Sequence, residues 1–232
     1  VSKRQMLLAT VCVVILLVGG CMLASRHKPA PGSPSRAQIE GLLSRVSVVA
    51  KRERAPNYMR GCGSGQGCVF GPAWSDDYEG PYGHDGCDTR NNVLALQLSE
   101  VSFRPGTHNC VVVAGVLADP YSGKQIEFRK RDAGAVQIDH VYPLAAAWDM
   151  GASAWDITTR VRFANDVDGN LLAVSGPANQ AKGDATPAKW LPPASEYHCF
   201  YAGKYLTVAL RYGLPVTVAD QTALQRVARG CG

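Results

Sequence analysis

From Met6 to Val18 every position but Thr10 is apolar, with Lys3 and Arg4 before the run and Gly19, Gly20 and Cys21 after it. A charged start and a greasy middle shorter than the ~20 residues of a spanning helix predict a secretory signal over residues 1–21, which Met22 to Ala24 could extend into an uncleaved anchor. Residues 22–34 lose all periodicity, and Pro29, Pro31 and Pro34 make this stretch a tether. Periodicity returns at Ser35, where Gln38 three residues on forms a capping-box signal and Ile39, Leu42, Leu43 and Val46 share one helical face. The folded domain is therefore expected over 35–232. Residues 57–86, dense in Gly, Tyr, Trp and Asp, read as loop. Thr89 to Leu98 reads as a helix, and Cys110 to Leu117, Gln125 to Phe128 and Val136 to Val141 as strands, the first two joined by Asp119-Pro120-Tyr121-Ser122-Gly123 turn chemistry. Ala145 to Trp148 and Ser153 to Phe163 read as helical, Leu171 to Val174 as a short strand, and Glu196 to Tyr212 as a helix stopped by Gly213. Thr217 and Asp220 cap a last helix ending at Arg229. Helices and short strands without a βαβ rhythm predict an α+β domain.

Export changes how the cysteines are read. Val18-Gly19-Gly20-Cys21 resembles a bacterial lipobox, which would lipidate Cys21; a plain signal anchor with an incidental Cys21 stands level with it. Cys62, Cys68, Cys87, Cys110, Cys199 and Cys231 form an even set, which outside the cytosol favours disulfides. Fifteen pairings are open to six cysteines. Proximity, and the two terminal helices beside Cys199 and Cys231, favour Cys62–Cys68, Cys87–Cys110 and Cys199–Cys231. A zinc site from Cys62, Cys68, His84 and Cys87 ranks below, because its first spacing is wide. The formal charge of +5 includes Lys3 and Arg4 of the signal, and a total so modest permits a polyanionic partner without requiring one. Lys51, Arg52 and Arg54 read as a solvated helix end.

Several chemistries are excluded by spacing. Gly151-Ala152-Ser153-Ala154 ends at Trp155 where a nucleophile elbow needs glycine, Gly61 to Gly67 fails Gly-x-Gly-x-x-Gly in every frame, and Gly123-Lys124 lacks the rest of a phosphate-binding loop. What stands out is Val136-Gln137-Ile138-Asp139-His140-Val141-Tyr142-Pro143, a carboxylate and an imidazole at the end of an apolar strand. Alternating strand residues face opposite ways, so Asp139 and His140 cannot share one core. Asn170 opens the next strand, and Asn179-Gln180-Ala181-Lys182 follows it. Taken singly, each has a plainer use: His140 as a hydrogen-bonded core residue, Asn170 in a turn, Asn179 as a helix cap, Lys182 in solvent. Trp148, Trp155 and Trp190 read as core aromatics.

The order Asp-His, Asn before a strand, then Asn-x-x-Lys at a helix start resembles the HNH, or ββα-metal, nucleases. With Phe163-Ala164-Asn165-Asp166, Asn170 to Gly176 and Trp190-Leu191-Pro192-Pro193, it resembles the exported bacterial HNH proteins of the DUF1524, or GmrSD C-terminal, type over roughly Tyr58 to Cys231. The resemblance implies a ββα-metal core about 136–190 and a metal-dependent endonuclease hydrolysing DNA or RNA outside the cytoplasm. It implies Asp139 and Asn179 as ligands of one divalent cation, Mg²⁺ first, Mn²⁺ next and Zn²⁺ last, because asparagine replaces the histidine of many relatives. It implies His140 as general base, Asn170 as the residue fixing the imidazole, and Lys182 and Arg90 as phosphate contacts, although for Arg90 an ion pair with Asp88 or Asp85 is the plainer reading. Cys62 and Cys68, set between Tyr58-x-Arg60 and Phe70, depart from the family's pattern. The expected partners are nucleic acid as substrate and the bacterial membrane through a lipid or signal anchor, with no protein partner; a secreted or membrane-bound lipoprotein location follows. A non-catalytic envelope module keeping the fold is the alternative.

Overall fold

Ser35 accepts the backbone N–H of Gln38, whose own side chain accepts from the Ser35 N–H at 2.8 Å, and this capping box starts α1 (Arg36–Leu43). The structure is a computed structural model that describes residues 28–232. Cys21, the expected signal and residues 22–27 of the expected tether therefore lie outside the described residues. Among the described residues no helix is long and apolar enough to cross a membrane.

After α1 come β1 (Val48–Val49), a long irregular stretch, then α2 (Thr89–Gln97), β2 (Ser99–Phe103), β3 (Val112–Ala118), β4 (Gln125–Arg129) and β5 (Val136–His140). There follow α3 (Leu144–Asp149), α4 (Ile157–Ala164), β6 (Leu171–Ser175), α5 (Gly176–Lys182), α6 (His198–Arg211), β7 (Val216–Thr217) and α7 (Val218–Ala228). The strands form three separate sheets: β2-β3-β4 and β5-β6, both antiparallel, and the parallel pair β1-β7. The domain is α+β, as its pattern of elements predicts.

The short parallel pair β1-β7 is not marked in the sequence, and three further elements depart from expectation. β2 escapes the sequence because it lies at a sheet edge, is mostly exposed and shifts register against β3, so no apolar alternation marks it. The expected helix from Ser153 breaks: a single 3₁₀ turn covers Ala152–Ala154, and Asp156 restarts the chain by accepting the Thr159 N–H at 2.7 Å as the cap of α4. Glu196 lies in a 3₁₀ turn just ahead of α6.

All three expected disulfides are present, Cys62–Cys68, Cys87–Cys110 and Cys199–Cys231. The zinc alternative is thereby overturned, since the thiolates of Cys62, Cys68 and Cys87 are spent in covalent bonds. Arg52 is likewise no solvated helix end. It is largely buried and paired with Asp149 at 2.6 Å and Asp184 at 2.8 Å.

Two hydrophobic clusters meet at the β5-β6 hairpin. One gathers α1, α3, α6 and α7; the other gathers α2, β3, β4 and the inner positions of the hairpin. Every residue of β6 is buried, Leu172 and Val174 in the first cluster and Leu171 and Ala173 in the second. The pleat thus sends successive residues into different cores. The outer edge of β6 is satisfied by Gln97, which accepts from the Ala173 N–H at 2.8 Å and donates to the Leu171 carbonyl at 3.3 Å.

Candidate active site

β5 ends where its two faces open. Val136, Ile138 and His140 alternate on one side of the strand, Gln137 and Asp139 on the other, in register with β6 through Asp139–Leu172 and His140–Leu171 pairs. Because Pro143 stops the strand, Asp139 and His140 sit at its last two positions, and both line one cleft of about 530 Å³. Asn179, Gln137, Arg54, Tyr58 and Arg60 line it too.

α5 reaches this cleft because Ser175 caps it, Pro177 begins it and Gly176 lets it start against another backbone. A Cβ on Gly176 would stand 2.1 Å from the Gly134 carbonyl oxygen, so only glycine allows the approach. Asp119 braces the same corner, its carboxylate accepting from the Ser175 N–H at 3.0 Å and the Tyr121 N–H at 3.1 Å.

His140 is 6% exposed. Its Nε2 lies 2.9 Å from the Ala164 carbonyl oxygen. A carbonyl only accepts, so Nε2 carries the proton and Nδ1 is left with the lone pair. Burial first, and then the positive charge of Arg60, push the imidazole down to about 3; the ring is neutral at physiological pH. Trp74 stacks on it with centroids 5.8 Å apart and planes 14° from parallel. Trp74 holds φ 59, a left-handed backbone that a bulky residue rarely adopts. That conformation is held from α2, whose Thr89 donates its N–H to the Trp74 carbonyl and its hydroxyl to the Ser75 carbonyl.

Asp139 is buried and grips Lys182, whose Nζ lies 2.9 Å from Oδ1 and 2.8 Å from Oδ2. Tyr121 donates its hydroxyl to Oδ2 as well. Burial pushes the carboxyl up and the ammonium down, each toward its neutral form, and each pulls the other back. The third proton of Lys182 goes to the His140 carbonyl at 2.9 Å. Lys182 is 2% exposed and does not line the cleft. The expected phosphate contact from Lys182 is therefore corrected to a buried counter-ion beneath Asp139.

Asn170 is buried and braces the turn after His140 on both of its amide atoms. Its Oδ1 accepts the Tyr142 N–H at 2.8 Å and its Nδ2 donates to the Tyr142 carbonyl at 3.2 Å. Asn179 donates its Nδ2 to Gln137 Oε1 at 2.9 Å. That bond orients the amide and leaves its oxygen available.

Arg90 stands elsewhere. Its guanidinium donates to the Ala133 and Val136 carbonyls at 3.1 and 3.0 Å, and it borders a different hollow with Trp74 and Asp88. The phosphate contact expected of Arg90 is corrected to a brace at the entry to β5, and neither Asp88 nor Asp85 pairs with it. Sequence reasoning missed Arg54, Tyr58 and Arg60. They sit in or before an aperiodic loop whose position no pattern along the chain encodes.

A hard cation fits the donors on one condition. Three of the roughly four lone-pair sites of the Asp139 carboxylate are taken by Lys182 and Tyr121, leaving one on Oδ1. With the oxygen of Asn179 that makes two protein ligands, and water or phosphate must supply the others. No group of three or more His, Cys, Asp or Glu able to hold a metal occurs among the described residues.

Residues 88–227 match the family described as GmrSD restriction endonucleases, C-terminal domain. An "Uncharacterized secreted protein" of Arthroderma benhamiae is 37% identical over 146 residues, which are 62% of this chain and 68% of that protein. No solved structure matches the chain.

Proposed function

Since the chain belongs to the family of GmrSD restriction endonuclease C-terminal domains, we propose that it is a metal-dependent endonuclease of the ββα-metal type acting on DNA or RNA outside the cytoplasm. The β5-β6 hairpin and α5 are the ββα unit. One observation carries the reading: His140 lines the same cleft as Asp139 and Asn179 with its Nδ1 unprotonated and its Nε2 tied to a backbone carbonyl. The disulfides and the secreted relative support an extracytoplasmic setting.

His140 takes the proton of the attacking water at Nδ1. The Nε2–H bond to Ala164 leaves Nδ1 as the acceptor and steadies the imidazolium that forms. Trp74 holds the ring in plane and shields one face from water. Asn170 keeps the turn at Tyr142 closed, so the strand end that carries His140 cannot splay. Asp139 and Asn179 would hold the cation, Mg²⁺ or Mn²⁺ ahead of Zn²⁺ for two oxygen donors. When bound, it would offset charge on the phosphate and on the departing 3′ oxygen.

The test is cleavage of supercoiled plasmid, single-stranded DNA and RNA by the full chain with Mg²⁺ or Mn²⁺, and with EDTA. Cleavage should need the metal, and His140→Ala should lose roughly 10²- to 10⁴-fold while remaining folded by circular dichroism. A folded His140→Ala protein that cuts as fast as the wild type would remove the mechanism. A protein that binds nucleic acid alike with and without cation and never cuts it would be a binding module.

A further inference from the structure

We propose that Arg60 grips a backbone phosphate of the substrate next to His140, and that the hairpin closed by Cys62–Cys68 exists to present it. The proposal rests on the nuclease reading and names the residue through which the cleft holds its anion. Arg60 lines the cleft with Asp139, His140 and Asn179. Among the described residues no carboxylate pairs with its guanidinium, whereas Arg52 and Arg54 are both engaged by Asp149 and Asp184. Its side chain is exposed, so its donors are free for a ligand.

The local backbone explains why the residue stays in place. Cys68 donates its N–H to the Gly61 carbonyl at 2.9 Å and Val69 donates to the Met59 carbonyl at 3.1 Å, so the chain folds back on itself around Arg60. The disulfide closes the tip. At the base, Tyr58 packs edge-on to Phe70 at 6.4 Å and beside Trp148 at 6.1 Å, and Phe70 is 1% exposed. The tip itself is exposed from Gly61 to Gly67 and adds nothing to either core. A covalent closure here stabilises the position of Arg60 far more than it stabilises the fold. The planar guanidinium fork matches two phosphate oxygens at once, and its charge does not titrate at working pH. Arg90 lacks this freedom, because its donors go to backbone carbonyls.

The experiment measures binding of fluorescein-labelled duplex DNA and of labelled RNA to the full chain in EDTA, across a salt series, so that no turnover intrudes. The proteins are wild type, Arg60→Gln, Arg60→Lys, the double variant Cys62→Ser/Cys68→Ser, and Arg229→Gln at the far end of the chain as control. Arg60→Gln should bind roughly 10- to 100-fold more weakly, as expected for one charge-assisted contact. Its plot of log affinity against log salt should be shallower by about 0.9 for duplex DNA. Arg60→Lys should restore the slope and only part of the affinity, the signature of a charge that touches phosphate. The cysteine double variant should weaken binding with Arg60 intact, and Arg229→Gln should match the wild type. An unchanged slope in Arg60→Gln, with the wild type binding normally, overturns the role of Arg60 and leaves the nuclease reading standing. Failure of the wild type to bind either nucleic acid in EDTA overturns the role of Arg60, while the nuclease reading falls only if the wild type also fails to cleave with Mg²⁺ or Mn²⁺.

Discussion

Lys182 shows how a residue's distance along a helix can mislead about its chemistry. It follows Asn179 by three positions, which places the two on nearly the same helical face, yet only Asn179 borders the cleft. The reason is the last turn of α5, which packs against β5 and sends the long side chain inward to Asp139. Breaking a buried pair leaves the other charge uncompensated. Lys182→Met is therefore expected to lower stability by about 3–5 kcal/mol, read as a fall in the denaturant midpoint. A loss below about 1 kcal/mol, the range of exposed pairs, would show that the pair is not buried as described. His140 makes a second prediction at this scale. Its imidazole is pushed from the ordinary 6.5 down to about 3 by burial first and then by Arg60. Between those values the unfolded chain holds a proton that the folded chain does not. Its contribution to stability is thus complete above about pH 6.5 and is lost as pH falls toward 3. Metal-free wild type should melt progressively lower across that window, and His140→Asn should show a shallower dependence; parallel curves would assign the acid sensitivity to other groups.

At the scale of elements, the sequence spoke clearly wherever a local rule was enough. Both capping boxes, at Ser35 and Thr217, start helices where Gln38 and Asp220 stand three residues on. Both strands of the β5-β6 hairpin also form where short apolar runs stand. Rules of this kind need only neighbours along the chain. β2 was not legible, because its cause lies elsewhere: it is an irregular edge held by β3. The break before α4 has a local cause, Asp156 capping a new helix at Thr159, which the run from Ser153 to Phe163 read as one helix hides. The start of α5 combines both kinds of cause. Ser175 and Pro177 announce the helix, but the need for Gly176 between them appears only when the Gly134 carbonyl arrives from the other strand's approach. Gly176→Ala is expected to cost about 1–3 kcal/mol, since the added methyl meets backbone that cannot swing aside. Chemical denaturation would measure it, and a neutral result would mean that the two segments are farther apart.

At the scale of the molecule, the cleft joins three parts of the chain: the loop before Phe70, the end of β5 and the exposed side of α5. That Asp139, His140 and Asn179 meet in one cleft was legible from their order and spacing on successive elements, whereas Asn170 braces the turn at Tyr142. The disulfide pairing was readable because each cysteine joins a near neighbour in sequence, the widest pair being 32 apart. Arg60 and Trp74 were not readable, since a loop without period takes its position from what it packs against. By itself, then, the sequence determined the α+β elements, the family resemblance and the residues at the hairpin, all of which depend on local propensity and short spacing. Only the tertiary structure decided that Lys182 turns inward, that Arg90 braces backbone, and that Arg60 stands beside His140. Those outcomes depend on which charges find buried partners and which remain in solvent, and burial is a property of the assembled fold.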